Sequence, residues 1–372
     1  MKLAILGTRG VPNYHGGFEQ FAEYFSFHMV KEGHDVTVFN SHTHPFQSKE
    51  WKGVKIIHRN DPEDKIGTVG QFIYDLNCIN FCRKVHFDVI LQLGYTSSSI
   101  WSKLLPSKSL IITNMDGLEW KRSKYNILVR KFLKFAEALA IKNSDYLISD
   151  SIGIQDYIKE TYRKDSKFIA YGADVISNTD KASLEQYNVE PFKYNMLIAR
   201  LEPENNIETI LDGITVAKSK ETFLVIGKHG TNKFGSYLKN KYKKHSNIQF
   251  IGGIYNLDTL NNLRFFSKFY FHGHSVGGTN PSLLEAMASG ALITANDNIF
   301  NKSILKANAL YFKNPQDVCN IINEGEYFFK KYKELFKNNN IQEIKLNFNW
   351  ELINSQYENY LSSKLKENND QA

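Results

Sequence analysis

Short apolar runs of strand length alternate with helical stretches along this chain, and the alternation starts twice. The first start is Lys2–Leu6, a glycine-rich loop from Gly7 to Gly17, an amphipathic stretch from Phe18, and a second apolar run at Val36–Phe39. Strand, loop, helix and strand in that order open a doubly wound parallel sheet. Further strands are expected at 54–57, 88–92, 110–113, 144–149 and 167–172, with a helix over 69–84. A polar stretch from Asp174 to Glu190 reads as a linker. The alternation then resumes at Asn195–Ala199, with strands at 222–226, 248–251, 268–271 and 292–294. The expectation is α/β, with two doubly wound domains over 1–175 and 190–348. Ligands in such sheets collect beyond the C-terminal ends of the strands.

At 372 residues the chain is long enough for two domains that each bury a core. Apolar residues at 42% and charged residues at 23% fit a globular protein, and no uninterrupted apolar run reaches the roughly 18 residues of a membrane span. The N-terminus lacks a signal-peptide pattern, so the expected location is cytoplasmic. Cys78, Cys82 and Cys319 cannot all pair, and Cys78 with Cys82 lacks a second pair to complete a zinc set; they read as reduced core residues. A net charge of +7 suits an anionic substrate or an acidic membrane surface, and no nucleic-acid motif accompanies it. No two aspartates stand two positions apart, so a metal site is not expected. The opening loop does not carry G-x-G-x-x-G spacing, which disfavours a nicotinamide or flavin cofactor.

The densest run is His272-Gly273-His274-Ser275-Val276-Gly277-Gly278-Thr279-Asn280-Pro281-Ser282-Leu283-Leu284-Glu285-Ala286-Met287-Ala288-Ser289-Gly290. It reads as a loop feeding a helix over about 281–289. Thr279 or Asn280 serves as N-cap, Pro281 as first helical residue, and Gly290 as the left-handed residue that ends it. Gly277 and Gly278 let the backbone approach a ligand, and the helix start favours phosphate. Glu285 lies roughly 6 Å further along the axis, where a carboxylate repels phosphate but accepts from sugar hydroxyls, so ribose is its natural partner. Read on its own, Gly-Gly-Thr-Asn-Pro is more often a plain turn, with Glu285 a solvated helix residue.

Asp116 follows the 110–113 strand on a glycine-flanked loop, the place for a carboxylate that stabilises charge or takes a proton; a helix-capping aspartate would look the same. From Trp120 to Lys142, Lys121, Arg122, Lys124, Arg130, Lys131 and Lys134 alternate with Leu128, Val129, Phe132, Leu133 and Phe135. This basic amphipathic stretch suits either an anionic lipid surface or a core-facing helix with a solvated basic side. Gly227 and Gly230 mark a strand-to-helix turn. Residues 251–255, ending in Tyr255, are expected to flank a nucleotide base.

The 272–290 run, together with "GTRGVPNYHGGFEQFAEY" near the N-terminus and "DGLEWKRSKY" from Asp116, resembles glycosyltransferase family 4, in the form found in bacterial polysaccharide rhamnosyltransferases. The resemblance implies the GT-B architecture: two Rossmann-like domains facing a cleft, an N-terminal acceptor-binding one and a C-terminal nucleotide-sugar-binding one. A C-terminal helix over 349–366 would cross back to complete the first, with residues 367–372 frayed. It also implies that Gly16 and Gly17 face the donor phosphates and acceptor, that Asp116 lies by the donor sugar, and that Glu285 holds the donor ribose. The family places Arg and, five residues on, Lys against the diphosphate. Arg200 matches, whereas Asn205 stands at the lysine position, so Lys228 or Arg264 is expected to add charge. The family's other glutamate falls on Gly277, which puts the main-chain groups of Gly277, Gly278, Thr279, Asn280, Ser282 and Leu283 in its place.

The implied activity is retaining transfer of L-rhamnose from dTDP-rhamnose, without a metal, to a polysaccharide or lipid-linked oligosaccharide of the capsule or O-antigen kind. A donor such as UDP-glucose or UDP-galactose, or a non-catalytic nucleotide-sugar-binding scaffold, are the alternatives. Contact with the inner face of the cell membrane would accompany a lipid-linked acceptor.

Overall fold

A computed structural model describes residues 1–122, 125–228, 233–254 and 256–371. Lys124, Gly230 and Tyr255, three of the positions singled out above, lie outside the described residues. The chain divides into two compact units. One holds Met1–Lys121, Tyr125–Tyr171 and the segment from Trp350 onward; the other holds Arg122 and Gly172–Asn349.

Among the described residues the first unit has eight strands: β1 Lys2–Leu6, β2 Asp35–Ser41, β3 Glu50–Trp51, β4 Val54–Arg59, β5 Val89–Leu93, β6 Leu110–Asn114, β7 Tyr146–Ser149 and β8 Lys167–Phe168. Their order is β3-β4-β2-β1-β5-β6-β7-β8, and every pair is parallel except β3 with β4. β1 lies between β2 and β5, with Leu3 opposite both Val36 and Val89. The strand order reverses here, which is where an open α/β sheet leaves a crevice. Leu3–Leu6 are buried on both faces, which explains why the strand reads as an unbroken apolar run.

The helices of this unit are α1 Gly17–Lys31, α2 Glu63–Ile66, α3 Val69–Cys82, α4 Ile127–Asn143 and α5 Ile152–Tyr162, and the C-terminal helix returns to join them. Cys78 and Cys82 are buried free thiols in the core beside Tyr74, Ile79 and Phe87. The basic amphipathic helix begins later than expected, at Ile127, because Asn126 caps it by accepting from the Val129 N–H at 3.0 Å. Its inner face is Leu133, Ala136, Ala140 and Ile141, and Ile127, Leu128 and Phe135 point outward.

Among the described residues the second unit has six parallel strands: β9 Tyr194–Ile198, β10 Thr222–Ile226, β11 Ile248–Gly252, β12 Phe269–His272, β13 Ile293–Asn296 and β14 Leu310–Phe312. Their order is β11-β10-β9-β12-β13-β14, so the reversal falls between β9 and β12. Met196 of β9 sits opposite Leu224 on one side and Tyr270 on the other. Around this sheet lie α6 Ile207–Val216, α7 Lys233–Lys241, α8 Leu257–Phe266, α9 Pro281–Ala288, α10 Ile299–Leu305, α11 Pro315–Asn323 and α12 Gly325–Glu343. β14 was not anticipated, since its three residues are too few to show a period.

Two expectations need correction. The stretch read as a linker is folded into the second unit: Leu184 is buried in a short 3-10 helix, and the Asp180 N–H donates to Asn262 Oδ1 at 2.7 Å. The C-terminal helix α13 runs from Trp350 through Gln371, so the polar tail is helical rather than frayed. Its apolar face explains its place in the first unit. Trp350 stacks on Tyr24 of α1 at 4.4 Å, and Tyr357 packs against Phe21 at 4.5 Å. Among the described residues, no helix is long and apolar enough to cross a membrane.

Candidate functional site

In the first unit, the loop after β1 is tied down by one carboxylate. Glu19 Oε1 accepts from the Arg9 N–H at 2.8 Å and from Thr8 Oγ1 at 3.4 Å. The half-buried Arg9 guanidinium is paired with Glu63. The exposed Gly16 precedes α1 in extended conformation, and Gly17 is the first helical residue. The helix start therefore opens outward with no side chain capping it.

Asp116 lies two residues past β6, with φ at +37°, a conformation unusual for a residue with a Cβ. It is held there by its own N–H, which donates to Asn114 Oδ1 at 2.9 Å, while Asn114 Nδ2 donates to the Tyr357 hydroxyl at 2.9 Å. The geometry is not that of a helix cap. Tyr171 reaches Asp116 Oδ1 with its hydroxyl at 3.5 Å.

Asp150, one residue past β7, completes this cluster and was missed in the sequence. It is 1% exposed and within hydrogen-bond reach of Asp116. Burial, reinforced by the Asp116 charge, raises the Asp150 carboxyl well above its ordinary 3.8. Burial and the same two carboxyls push the Tyr171 phenol up as well, which keeps it a donor. The signal for Asp150 was available: an acidic residue at a strand end, directly before the Ser151 N-cap of α5.

In the second unit the polar groups gather at the end of β9 and β12. Arg200 is exposed two residues beyond β9, and Lys228 is exposed two residues beyond β10. Asn205 is buried, and its Nδ2 donates to the Arg200 carbonyl at 2.7 Å. It therefore closes the loop that carries Arg200 and does not replace lysine as a ligand-facing group.

The α9 start is built as the sequence suggested, with one difference. Asn280 is the cap, Pro281 is the first residue, and Gly277 takes φ +130°, open only to glycine. Asn280 Oδ1 accepts from the Ser282 N–H at 2.9 Å, and the Asn280 carbonyl accepts from the Leu283 N–H at 2.9 Å. Those two amides, expected to meet a ligand, are thus used by the cap. Leu283 is a core side chain, and the Ser282 hydroxyl is engaged by Tyr270 at 2.9 Å and Arg264 at 3.2 Å.

Arg264 is fully buried and donates to Glu285 Oε2 at 2.6 Å and to Asn261 Oδ1 at 3.0 Å. A buried guanidinium persists only when paired, so Arg264 is the counter-charge of Glu285 and not a diphosphate ligand. Glu285 itself keeps 16% of its side chain exposed, enough for its carboxylate to meet solvent.

Beside Arg200 stand two histidines. His272 and His274 alternate with Gly273 along the strand end, so both rings lie on one face and stack at 4.4 Å, 18° from parallel. Gly273 is required on the opposite face, where a Cβ would come within 2.1 Å of the Asn205 carbonyl oxygen. Burial, then His274 and Arg264, lowers the His272 imidazole well below its ordinary range. Burial, then Arg200 and Arg122, lowers His274 from 6.5 to about 3, opposed by Glu202. Both rings are neutral at physiological pH. Among the described residues, no three His, Cys, Asp or Glu side chains are grouped to hold a metal ion.

Residues 1–174 match a family model described as a domain of unknown function, DUF1972. No curated protein sequence matches the chain. Among solved structures, sucrose-phosphate synthase from Thermosynechococcus elongatus superposes with a TM-score of 0.78 at 15% identity, over 98% of this chain and 99% of that one. A glycosyltransferase from Rickettsia africae gives 0.71 at 15% identity, over 98% and 99%. HepE from Anabaena, in complex with UDP and glucose, gives 0.73 at 15% identity, over 98% and 100%. With both parallel-sheet units matched over nearly their whole length, the chain has the fold of the GT-B glycosyltransferases.

Proposed function

We propose that this chain is a nucleotide-sugar-dependent glycosyltransferase. The observation that carries the proposal is Glu285, fixed by Arg264 within α9 just past the Gly277–Asn280 loop, in the same unit as Arg200 at the strand-order reversal. With Oε2 pinned by Arg264, the carboxylate is oriented to accept from ribose hydroxyls. The diphosphate then meets the Arg200 guanidinium and the backbone of Gly277, Gly278, Thr279 and Asn280, with Lys228 nearby on the next strand. As the bond between the anomeric carbon and the phosphate oxygen breaks, negative charge grows on the diphosphate and positive charge on the sugar. Arg200 answers the first, and no metal is called for; Asp116, steadied by Asp150, answers the second. Gly16 and Gly17 serve the acceptor side.

The finer reading is retaining transfer of L-rhamnose from dTDP-rhamnose to a polysaccharide or lipid-linked acceptor, supported by the resemblance of the 272–290 and N-terminal runs. A UDP-linked hexose is the second reading, favoured by the likeness to HepE in complex with UDP-glucose. Incubation with a panel of nucleotide sugars, with nucleoside diphosphate release as readout, separates them. Release from dTDP-rhamnose alone supports the first. No release from any donor, with nucleotides still bound, would leave a non-catalytic scaffold.

The outward Ile127, Leu128 and Phe135 of α4, interleaved with Arg130 and Lys131, support contact with anionic lipid. Lys134 is turned inward to Glu137 at 2.8 Å and takes no part. Co-sedimentation with anionic vesicles is expected, and weakened by Lys131→Glu; indifference to that change would remove the membrane reading.

A further inference from the structure

The His-Gly-His segment has a feature that the donor site described so far does not use. His272 is 1% exposed, and neither of its ring nitrogens has a hydrogen-bond partner; His274 Nδ1 is buried and likewise unpartnered. A neutral imidazole carries one N–H donor and one acceptor nitrogen, and leaving such groups buried and unmet costs about 1–3 kcal/mol each. The fold nevertheless fixes the segment in place. Asn206 Nδ2 holds the Gly273 carbonyl at 2.8 Å, and Asn298 Nδ2 and Asn301 Nδ2 both hold the His274 carbonyl at 3.0 Å. Three asparagines from two segments, the start of α6 and the start of α10, clamp the main chain and fix where the two rings emerge.

The surroundings say what the accessible edge of this pair would meet. The charges acting on His274 are Arg200, Arg122 and Glu202, and those acting on His272 are Arg264 and its neighbour ring. Arg122 lies 3.7 Å from Glu202 and 3.9 Å from Glu204, so its charge is partly answered within the protein. Arg200 stands exposed at the end of β9. A stacked pair of uncharged imidazoles beside guanidinium groups is a donor surface for an anion. His274 is half-buried with Nδ1 turned inward, which puts its Nε2 edge on the ligand side.

We infer that His274 donates a ring hydrogen bond to the phosphate of a bound nucleoside diphosphate, next to Arg200, with His272 stacked behind it as a rigid floor. This rests on the nucleotide-sugar reading above and adds a phosphate ligand that neither the helix start nor Arg200 supplies. It also gives the lysine position an explanation: with Asn205 closing a loop, the anion is met by a neutral donor instead of a second cation.

Calorimetric titration of the full chain with UDP and with dTDP tests it. His274→Phe keeps a flat ring to stack but no donor, and is expected to weaken the tighter nucleotide at least tenfold. His274→Gln keeps a donor of similar reach and is expected to recover part of that loss. Thermal melting of each variant shows whether the fold is kept. If His274→Phe melts like the wild type and binds within twofold of it, the inference is overturned while the nucleotide reading stands. If the wild type binds neither nucleotide, both fall.

Discussion

Each unit places a pair of like groups at the C-terminal ends of its strands, and the two pairs behave in opposite ways. Asp116 and Asp150 stand past β6 and β7; His272 and His274 stand at the end of β12. Burial disfavours charge in both, but a neutral carboxyl keeps its proton and a neutral imidazole gives one up. Asp150 is therefore pushed up and the two histidines down. Between them in character lies Arg264 with Glu285, where burial is answered by opposite charge instead of by a proton. A buried acid beside a second carboxyl group can move a proton, whereas uncharged rings next to guanidinium groups can only offer hydrogen bonds. Under the proposed function, this contrast would put the reacting-group chemistry in the first unit and nucleotide binding in the second.

The sharpest way to break that division is Asp116→Ala. If the acid pair serves the reacting sugar, turnover should fall about 10²–10⁴-fold while nucleotide affinity stays within twofold; undiminished transfer would exclude Asp116 from catalysis. Next in size is Arg264→Met, which leaves Glu285 partly buried without its counter-charge. Urea unfolding should show a loss of about 3–5 kcal/mol, together with weaker nucleotide binding. A loss below about 1 kcal/mol, on the scale of a surface ion pair, would mean that Glu285 is solvated in practice. Gly273→Ala comes third. Its Cβ would sit 2.1 Å from a backbone oxygen that no side-chain rotation can move, so the strand end must shift and the ring stack with it. A stability loss of about 1–3 kcal/mol is expected, with nucleotide affinity reduced as well; full affinity would show that the rings need no fixed placement.

The alternation of strands and helices was legible because parallel strands buried on both faces write themselves as apolar runs, as at Lys2–Leu6 and Thr222–Ile226. The α9 start was legible because Asn-Pro is a local signal with a local cause. What the sequence hid depends on distance along the chain. Arg264 looks like an ordinary helix arginine until the fold brings it to Glu285, 21 positions away. Asp150 lies far from Asp116 in sequence, and only neighbouring parallel strands bring them together. Asn205 was read by its place in a family pattern, although its bond to the Arg200 carbonyl is local and ties it to the loop that carries Arg200. The linker was misread because polarity was taken for mobility, whereas one buried leucine and one backbone hydrogen bond suffice to anchor it.

The smallest expected effect, about 1 kcal/mol per pH unit, tests the comparison without any ligand. Asp150 has a raised native pKa, so its contribution to stability is full below its unfolded value near 3.8 and is lost as pH rises through the native value. The histidines have lowered native values, so their contribution is present above 6.5 and is lost as pH falls; for His274 the loss runs down to about 3. Between about pH 4 and 6.5 the two pairs therefore pull the stability curve in opposite directions. Asp150→Asn removes the falling component, and its unfolding free energy should climb more steeply with pH than that of the wild type. His274→Phe removes a rising component and should flatten the curve. Parallel curves for wild type and both variants would mean that burial shifts neither Asp150 nor His274, and the contrast between the two units would disappear.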